Sequence, residues 1–221
     1  MAKKNSIDNF TQDLTVDPGA SGDSFVQFNI NTVNEFRIGV DNTDDSFRIS
    51  QGSALGTNDT FVMTDAGERT MPLQPAFLAY QASQAANVTG SGTNYFLGTA
   101  VALTEVFDQN SDFNTNGTFT APITGRYALY MWITLSDITS SANDMNLQFN
   151  TSNRIYVSMQ CEAGNVANTS GILSTGFSAF ADMDSGDTCR YRIVVIGESG
   201  NPVDVDGSAD AETAVAGYLV C

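Results

Sequence analysis

The run Asp204-Val205-Asp206-Gly207-Ser208-Ala209-Asp210 sets three carboxylates around a glycine, a spacing with which a short loop can offer oxygen ligands to Ca²⁺. Asp204, Asp206 and Asp210 are thus the candidate metal ligands. The bidentate glutamate that closes an EF-hand loop is missing, so a solvated acidic turn is the competing reading. Asp182, Asp184 and Asp187 form a second acidic cluster open to the same two readings. Beyond calcium, no cofactor is suggested.

The chain has no histidine. That removes most zinc and copper sites, the Ser-His and Cys-His nucleophilic arrangements and the commonest general base. Glycoside hydrolysis by a carboxylate pair needs only Asp and Glu, and Glu105 and Glu162 are the least loop-like candidates. No pair can be singled out by spacing, and surface solvation is the plainer role, so an enzyme is not expected. Cys161, Cys189 and Cys221 include no Cys-x-x-Cys pair and are too few for a disulfide framework.

Strands must position whatever these groups do. Of 221 residues only 15% are charged, against roughly 25% in soluble domains generally, so Asn, Ser, Thr, Gln and Gly must supply the polar surface. Those residues suit turns and strand faces. From Asp23 onward, short runs alternate in polarity: Val26, Phe28, Ile30; Phe36, Ile38, Val40; Phe47, Ile49; Phe61, Met63. Four such strands make a module too thin to cover its own apolar side, which predicts association of identical chains. Pro72 and Pro75 stiffen the chain at the next border.

Beyond it, strands are predicted over Phe77 to Gln81, Ala100 to Phe107, Gly117 to Ala121, Gly125 to Leu135, Met145 to Asn150, Arg154 to Gln160, Gly171 to Ala181, Thr188 to Ile196 and Ala214 to Val220. Residues 76–86 alone have a composition that would also suit a helix. The expected organisation is a polar attachment segment over 1–22, a β-rich module over 23–72 and a sandwich over 73–221. Within it, Tyr130 and Trp132 are expected to pack in the core or a subunit interface. Tyr80, Tyr95 and Phe96 read equally as exposed or buried aromatics.

The net charge is −16, and the arginines are scattered along the chain, so nucleic acid is not an expected partner. No apolar run approaches the roughly 20 residues of a membrane span, and no secretory leader follows Met1.

The stretch Phe119-Thr120-Ala121-Pro122-Ile123-Thr124-Gly125-Arg126-Tyr127, preceded by Phe107-Asp108-Gln109-Asn110 and Phe113, resembles the signature of the C1q/tumour-necrosis-factor-like jelly roll. Phe119 would plug the core, Pro122 end its strand, Gly125 permit a tight turn and Tyr127 open the next strand with its ring inside. Asp184-Ser185-Gly186-Asp187-Thr188 resembles the family's late hairpin, and Gly217-Tyr218-Leu219 its closing strand. Leu129 and Met131 replace the aromatics usual after the tyrosine, and the collagen stalk of the animal proteins is missing.

The segment Phe36-Arg37-Ile38-Gly39-Val40-Asp41 with Ser46-Phe47-Arg48-Ile49-Ser50 is similar to β-rich shafts of bacteriophage fibres. Together the two resemblances imply an all-β fold, a C1q-like jelly-roll head preceded by a trimeric shaft, and a homotrimer. The implied role is a virion fibre or spike protein. Its N-terminal segment would join other virion proteins and its head would bind a host-surface glycan or protein. The alternative is a capsid or tail decoration protein with no receptor.

Overall fold

The computed structural model describes residues 15–19, 22–30, 34–158 and 160–220. Most of the segment expected to attach the chain over 1–22, together with Cys221, lies outside the described residues. The chain divides into two compact units, one ending at Leu73 and the other beginning at Gln74.

In the first unit, strands β1 Ser24–Ile30, β2 Asn34–Asp41, β3 Ser46–Gln51, β4 Asp59–Met63 and β5 Arg69–Thr70 form an antiparallel meander in sequence order. Register sorts its side chains. Val26 lies opposite Ile38, Phe28 opposite Phe36, Ile38 opposite Ile49 and Ile49 opposite Phe61, so the apolar residues share one face. That face is open along β1, where Phe28 is 56% and Ile30 71% exposed. The opposite face is polar. Arg48 reaches Asp41 at 3.3 Å and Asp44 at 2.5 Å and also pairs with Asp59, whose other oxygen accepts from the Ser50 hydroxyl. Arg37 lies 4.0 Å over the Phe25 ring.

The second unit contains β6 Ala76–Gln81, β7 Ala85–Thr89, β8 Tyr95–Phe96, β9 Leu103–Asp108, β10 Phe113–Asn114, β11 Thr118–Thr120, β12 Gly125–Ser136, β13 Asp144–Thr151 and β14 Ile155–Val157. A single turn of helix, α1 Ala163–Val166, precedes β15 Leu173–Met183, β16 Thr188–Ile196, β17 Val203–Val205 and β18 Ala214–Leu219. The helix-like composition near Ala76 resolves as strand, because Phe77, Ala79 and Gln81 turn inward at alternate positions.

Two antiparallel sheets pack face to face as a jelly-roll sandwich, so the chain is all-β. One sheet runs β10-β11-β16-β13-β14, with β8 also on β16. The other runs β7-β17-β12-β18-β6-β9, and β15 lies along the remaining side of β12. Between them Phe77 stacks on Phe113 at 4.6 Å and on Phe119 at 4.9 Å, and Phe119 meets Tyr127 edge-on at 5.3 Å. Phe149 on one sheet stacks on Phe177 of the other at 4.5 Å. Each such ring, taken fully out of water, contributes about 1.5–3 kcal/mol.

The signature residues serve this core, with one correction. Phe119 and Tyr127 are buried, and β11 ends before Pro122. The Tyr127 hydroxyl donates to the Ile123 carbonyl at 2.7 Å. Gly125 makes no tight turn: it already pairs with Met183 as the first residue of β12, and the bend falls at Pro122 to Thr124. Gly217 and Leu219 face inward and Tyr218 outward.

Candidate functional site

β12 is the longest strand and has two different faces. Tyr127, Leu129, Met131, Ile133 and Leu135 are buried in the sandwich. The alternate residues Tyr130 and Trp132 point out, remaining 37% and 38% exposed. The neighbouring strands continue this outer face. On β15, Phe180 lies opposite Ala128 and Ser178 opposite Tyr130; on β18, Tyr218 lies opposite Ala128 and Ala216 opposite Tyr130. Leu78 and Phe107 extend the Tyr130 row onto β6 and β9, since Ala216 pairs with Leu78 and Leu78 with Phe107.

The rings are ordered where they stand. Trp132 donates its indole N–H to the Ala211 carbonyl at 2.9 Å. Tyr130 stacks on Tyr218 at 6.2 Å, and its side-chain hydrogen bond with Tyr218, followed by burial, raises the Tyr130 phenol above its ordinary range. Phe180 is 67% exposed and Tyr218 44%. Four exposed aromatic side chains thus cluster on one outer face of the sandwich. Arg126 opposite Asp182 supplies charge at one end of the face. Of the two placements expected for Tyr130 and Trp132, core or subunit interface, the core is excluded, because the inward face is already filled by Leu129, Met131 and Ile133.

The acidic candidates do not converge. Asp204 is a buried residue of β17, not part of a loop, and its carboxylate accepts the Asn87 N–H at 2.6 Å. Asn87 has a left-handed backbone, φ 58°, and that carboxylate satisfies its amide. Asp206 accepts from Ser136 at 2.6 Å and from Gln84 at 2.9 Å. Asp210 is exposed. Among the described residues, no three carboxylates or thiols gather to hold a metal. Asp204, Asp206 and Asp210, the calcium candidates, are thus not brought together as one set of ligands among the described residues.

The second cluster builds a hairpin: Asp187 accepts from the Asp184 N–H at 2.8 Å and from Asn153, while Asp184 accepts from Thr124. Glu105 is exposed on β9, and Glu162 accepts from Asn165. Cys161 and Cys189 are free thiols, and burial pushes both above their ordinary range, so neither is poised as a nucleophile. Tyr95 is buried, whereas Tyr80 and Phe96 are half-buried.

Sequence reasoning passed over Phe180 and Tyr218 as a pair with Tyr130. Alternation within β12, β15 and β18 carried the signal, but register was needed to bring them together.

No family model matches the chain, and no curated protein matches it. Solved structures similar to it include the globular domain of zebrafish complement 1qA protein, at 13% identity over 67% of this chain and 98% of that one, with a TM-score of 0.41. Murine APRIL at pH 8.0 is 13% identical over 66% of this chain and 99% of that one, TM-score 0.45. The PRD1 vertex protein P5 is 9% identical over 67% of this chain and 98% of that one, TM-score 0.47.

Proposed function

We infer that the chain is a non-enzymatic structural protein of a virion, a homotrimer whose second unit is presented for attachment to a host-cell surface. The observation that carries this reading is the ordered aromatic face of Tyr130, Trp132, Phe180 and Tyr218, left open to water by a single chain. The first unit points the same way, because its apolar face is open along β1. Uncovered apolar faces are closed by copies of the same chain in a symmetric assembly, and the number three rests on the resemblance of residues 119–127 to C1q-like heads. The virion setting rests on the resemblance of residues 36–50 to fibre shafts. Threefold presentation makes weak surface binding effective, since later contacts become intramolecular.

Light scattering of the purified chain, with a particle adsorption assay alongside, tests the reading. The expected result is a trimer mass at micromolar concentration and blocked adsorption of the particle to its host. A monomer mass overturns the assembly. A trimer that leaves adsorption unaltered favours the decoration role instead.

A further inference from the structure

The outer face of the other sheet carries a different chemistry. Core residues Cys189, Tyr191, Ile193 and Val195 of β16 point inward, so Arg190 and Arg192 point outward together. Register surrounds them with uncharged polar groups. Arg190 lies between Thr118 and Asn150, and Arg192 between Phe96 and Gln148. Asn146 continues the amide row along β13.

Both guanidinium groups are held in place without a counter-charge. Arg190 stacks over the Phe96 ring at 4.4 Å. Arg192 donates to the Gln148 side-chain oxygen, and Gln148 donates in turn to Asn146 at 2.5 Å. No carboxylate lies within ion-pair distance of either arginine; among the described residues, only Arg48 makes such pairs. Asp144, at the end of β13 opposite Ile196, is the one carboxylate on these outer positions of β13 and β16. The Nε atoms of both arginines and the Asn150 side-chain oxygen are buried without a partner.

This arrangement is costly in isolation. In a chain with 25 acidic and 9 basic residues, carboxylates are plentiful, yet two half-buried cations face only amides, a hydroxyl and a ring. Partial desolvation of an unpaired charge costs free energy that an arriving anion offsets. The guanidinium fork matches planar oxyanions, and its ring and amide supports are already in position.

We propose that the outer face around Arg190 and Arg192 binds an acidic saccharide, with the two guanidinium groups on its anionic substituent and the half-buried Thr118 and Asn150 side chains beside them on neighbouring hydroxyls, while the buried Asn146 and Gln148 amides hold the Arg192 guanidinium in place. The site deepens the attachment reading above and rests on it. A saccharide fits better than nucleic acid because the net charge of −16 repels a densely charged polyanion. It fits better than an acidic peptide because the Thr118 hydroxyl and the Asn150 amide beside the arginines offer donors and acceptors suited to hydroxyls.

Calorimetric titration of the protein tests the proposal, with galacturonic acid as the carboxylate probe, galactose 6-sulfate as the sulfate probe, maltohexaose as the neutral one and oligoglutamate as the acidic peptide. Expected are binding of one or both anionic saccharides that weakens with salt, no binding of maltohexaose, and far weaker binding of oligoglutamate. The two anionic arms tell a carboxylate from a sulfate. Arg190→Gln and Arg192→Gln each weaken the saccharide about tenfold or more, while Arg69→Gln on the exposed β5 does not. Arg192→Lys, which keeps the charge and loses the fork, weakens it as well and guards against misfolding of the Gln variants. Binding of maltohexaose as tight as the acidic sugars, equal binding of oligoglutamate, unaltered affinity in the arginine variants, or no saccharide binding overturns the proposal. A trimer mass in the same samples without saccharide binding sinks this site alone, whereas a monomer mass sinks the assembly reading.

Discussion

Tyr130 and Tyr218 stack 6.2 Å apart and 14° from parallel on the outside of the sandwich, on adjacent strands where each lies opposite an alanine. The small neighbours Ala128 and Ala216 leave room for the rings to lean together, so their order is fixed before any partner arrives. Pre-ordered aromatics lose little freedom on association, which is what an interface needs. The first prediction follows directly. Tyr218→Lys places a charge at the centre of the open face and should dissociate the assembly, at a cost of about 2 kcal/mol or more per interface. Sedimentation velocity reads the loss of the proposed trimer, and an unchanged far-UV circular dichroism spectrum shows that the outward substitution leaves the sandwich folded. An unshifted sedimentation coefficient would count against this face.

One residue inward on the same strand, steric space is the issue. A Cβ added at Gly217 would lie 2.7 Å from Phe77 Cε1 and 3.1 Å from Leu129 Cδ2, closer than packed carbons tolerate. Gly217→Ala should therefore cost about 1–3 kcal/mol through overpacking, lowering the thermal midpoint by about 3–10 °C. Phe77→Leu should relieve part of that strain in the double variant, giving a coupling above about 0.5 kcal/mol. Strict additivity of the two substitutions in thermal denaturation would refute the steric account.

Much of the strand layout was legible because inward and outward residues differ in type. Gly125 to Leu135 and Thr188 to Ile196 alternate plainly, and both are strands within a residue of their expected ends. β7 and β17 were not legible. The Val203-Asp204-Val205 run reads as part of an acidic loop, yet its carboxylate is buried to satisfy the amide of Asn87, a pairing across 117 positions that no local pattern announces. The open aromatic face was half legible. Alternation puts Tyr130 and Trp132 on one side of β12 and Leu129, Met131 and Ile133 on the other, but both sides are apolar. Only pairing with β15 and β18 decides which one the second sheet covers.

In the first unit the polar face depends on one cation. Arg48 pairs with Asp41, Asp44 and Asp59, and its side chain is 13% exposed. Arg48→Met keeps much of the volume but leaves the Asp41 and Asp59 carboxylates, each 8% exposed, without their counter-charge. The expected cost is about 2–4 kcal/mol, confined to this unit. Hydrogen exchange should show faster opening of β2 to β4 with protection in β12 and β16 unchanged. Equal loss of protection in both units would contradict the assignment.

Acidity should stabilise the second unit through one carboxyl. Burial, with the Asp108 charge beside it, raises the Asp112 carboxyl above its ordinary range, and one of its oxygens is buried without a partner. Because the folded chain holds this proton more tightly than the unfolded chain, stability falls as pH rises through the folded value, and the penalty is fully present at neutral pH. Asp112→Asn removes the charge while the backbone bonds of residue 112, to Asp108 and from Thr120, remain available. The variant should therefore melt about 1–3 °C above the parent at pH 7. That gain should shrink steadily as pH is lowered toward the ordinary aspartate range near about 4, where the parent carboxyl takes up its proton. Calorimetric melts of both proteins across that range provide the check, and a gain that grows on acidification would reverse the assigned sign.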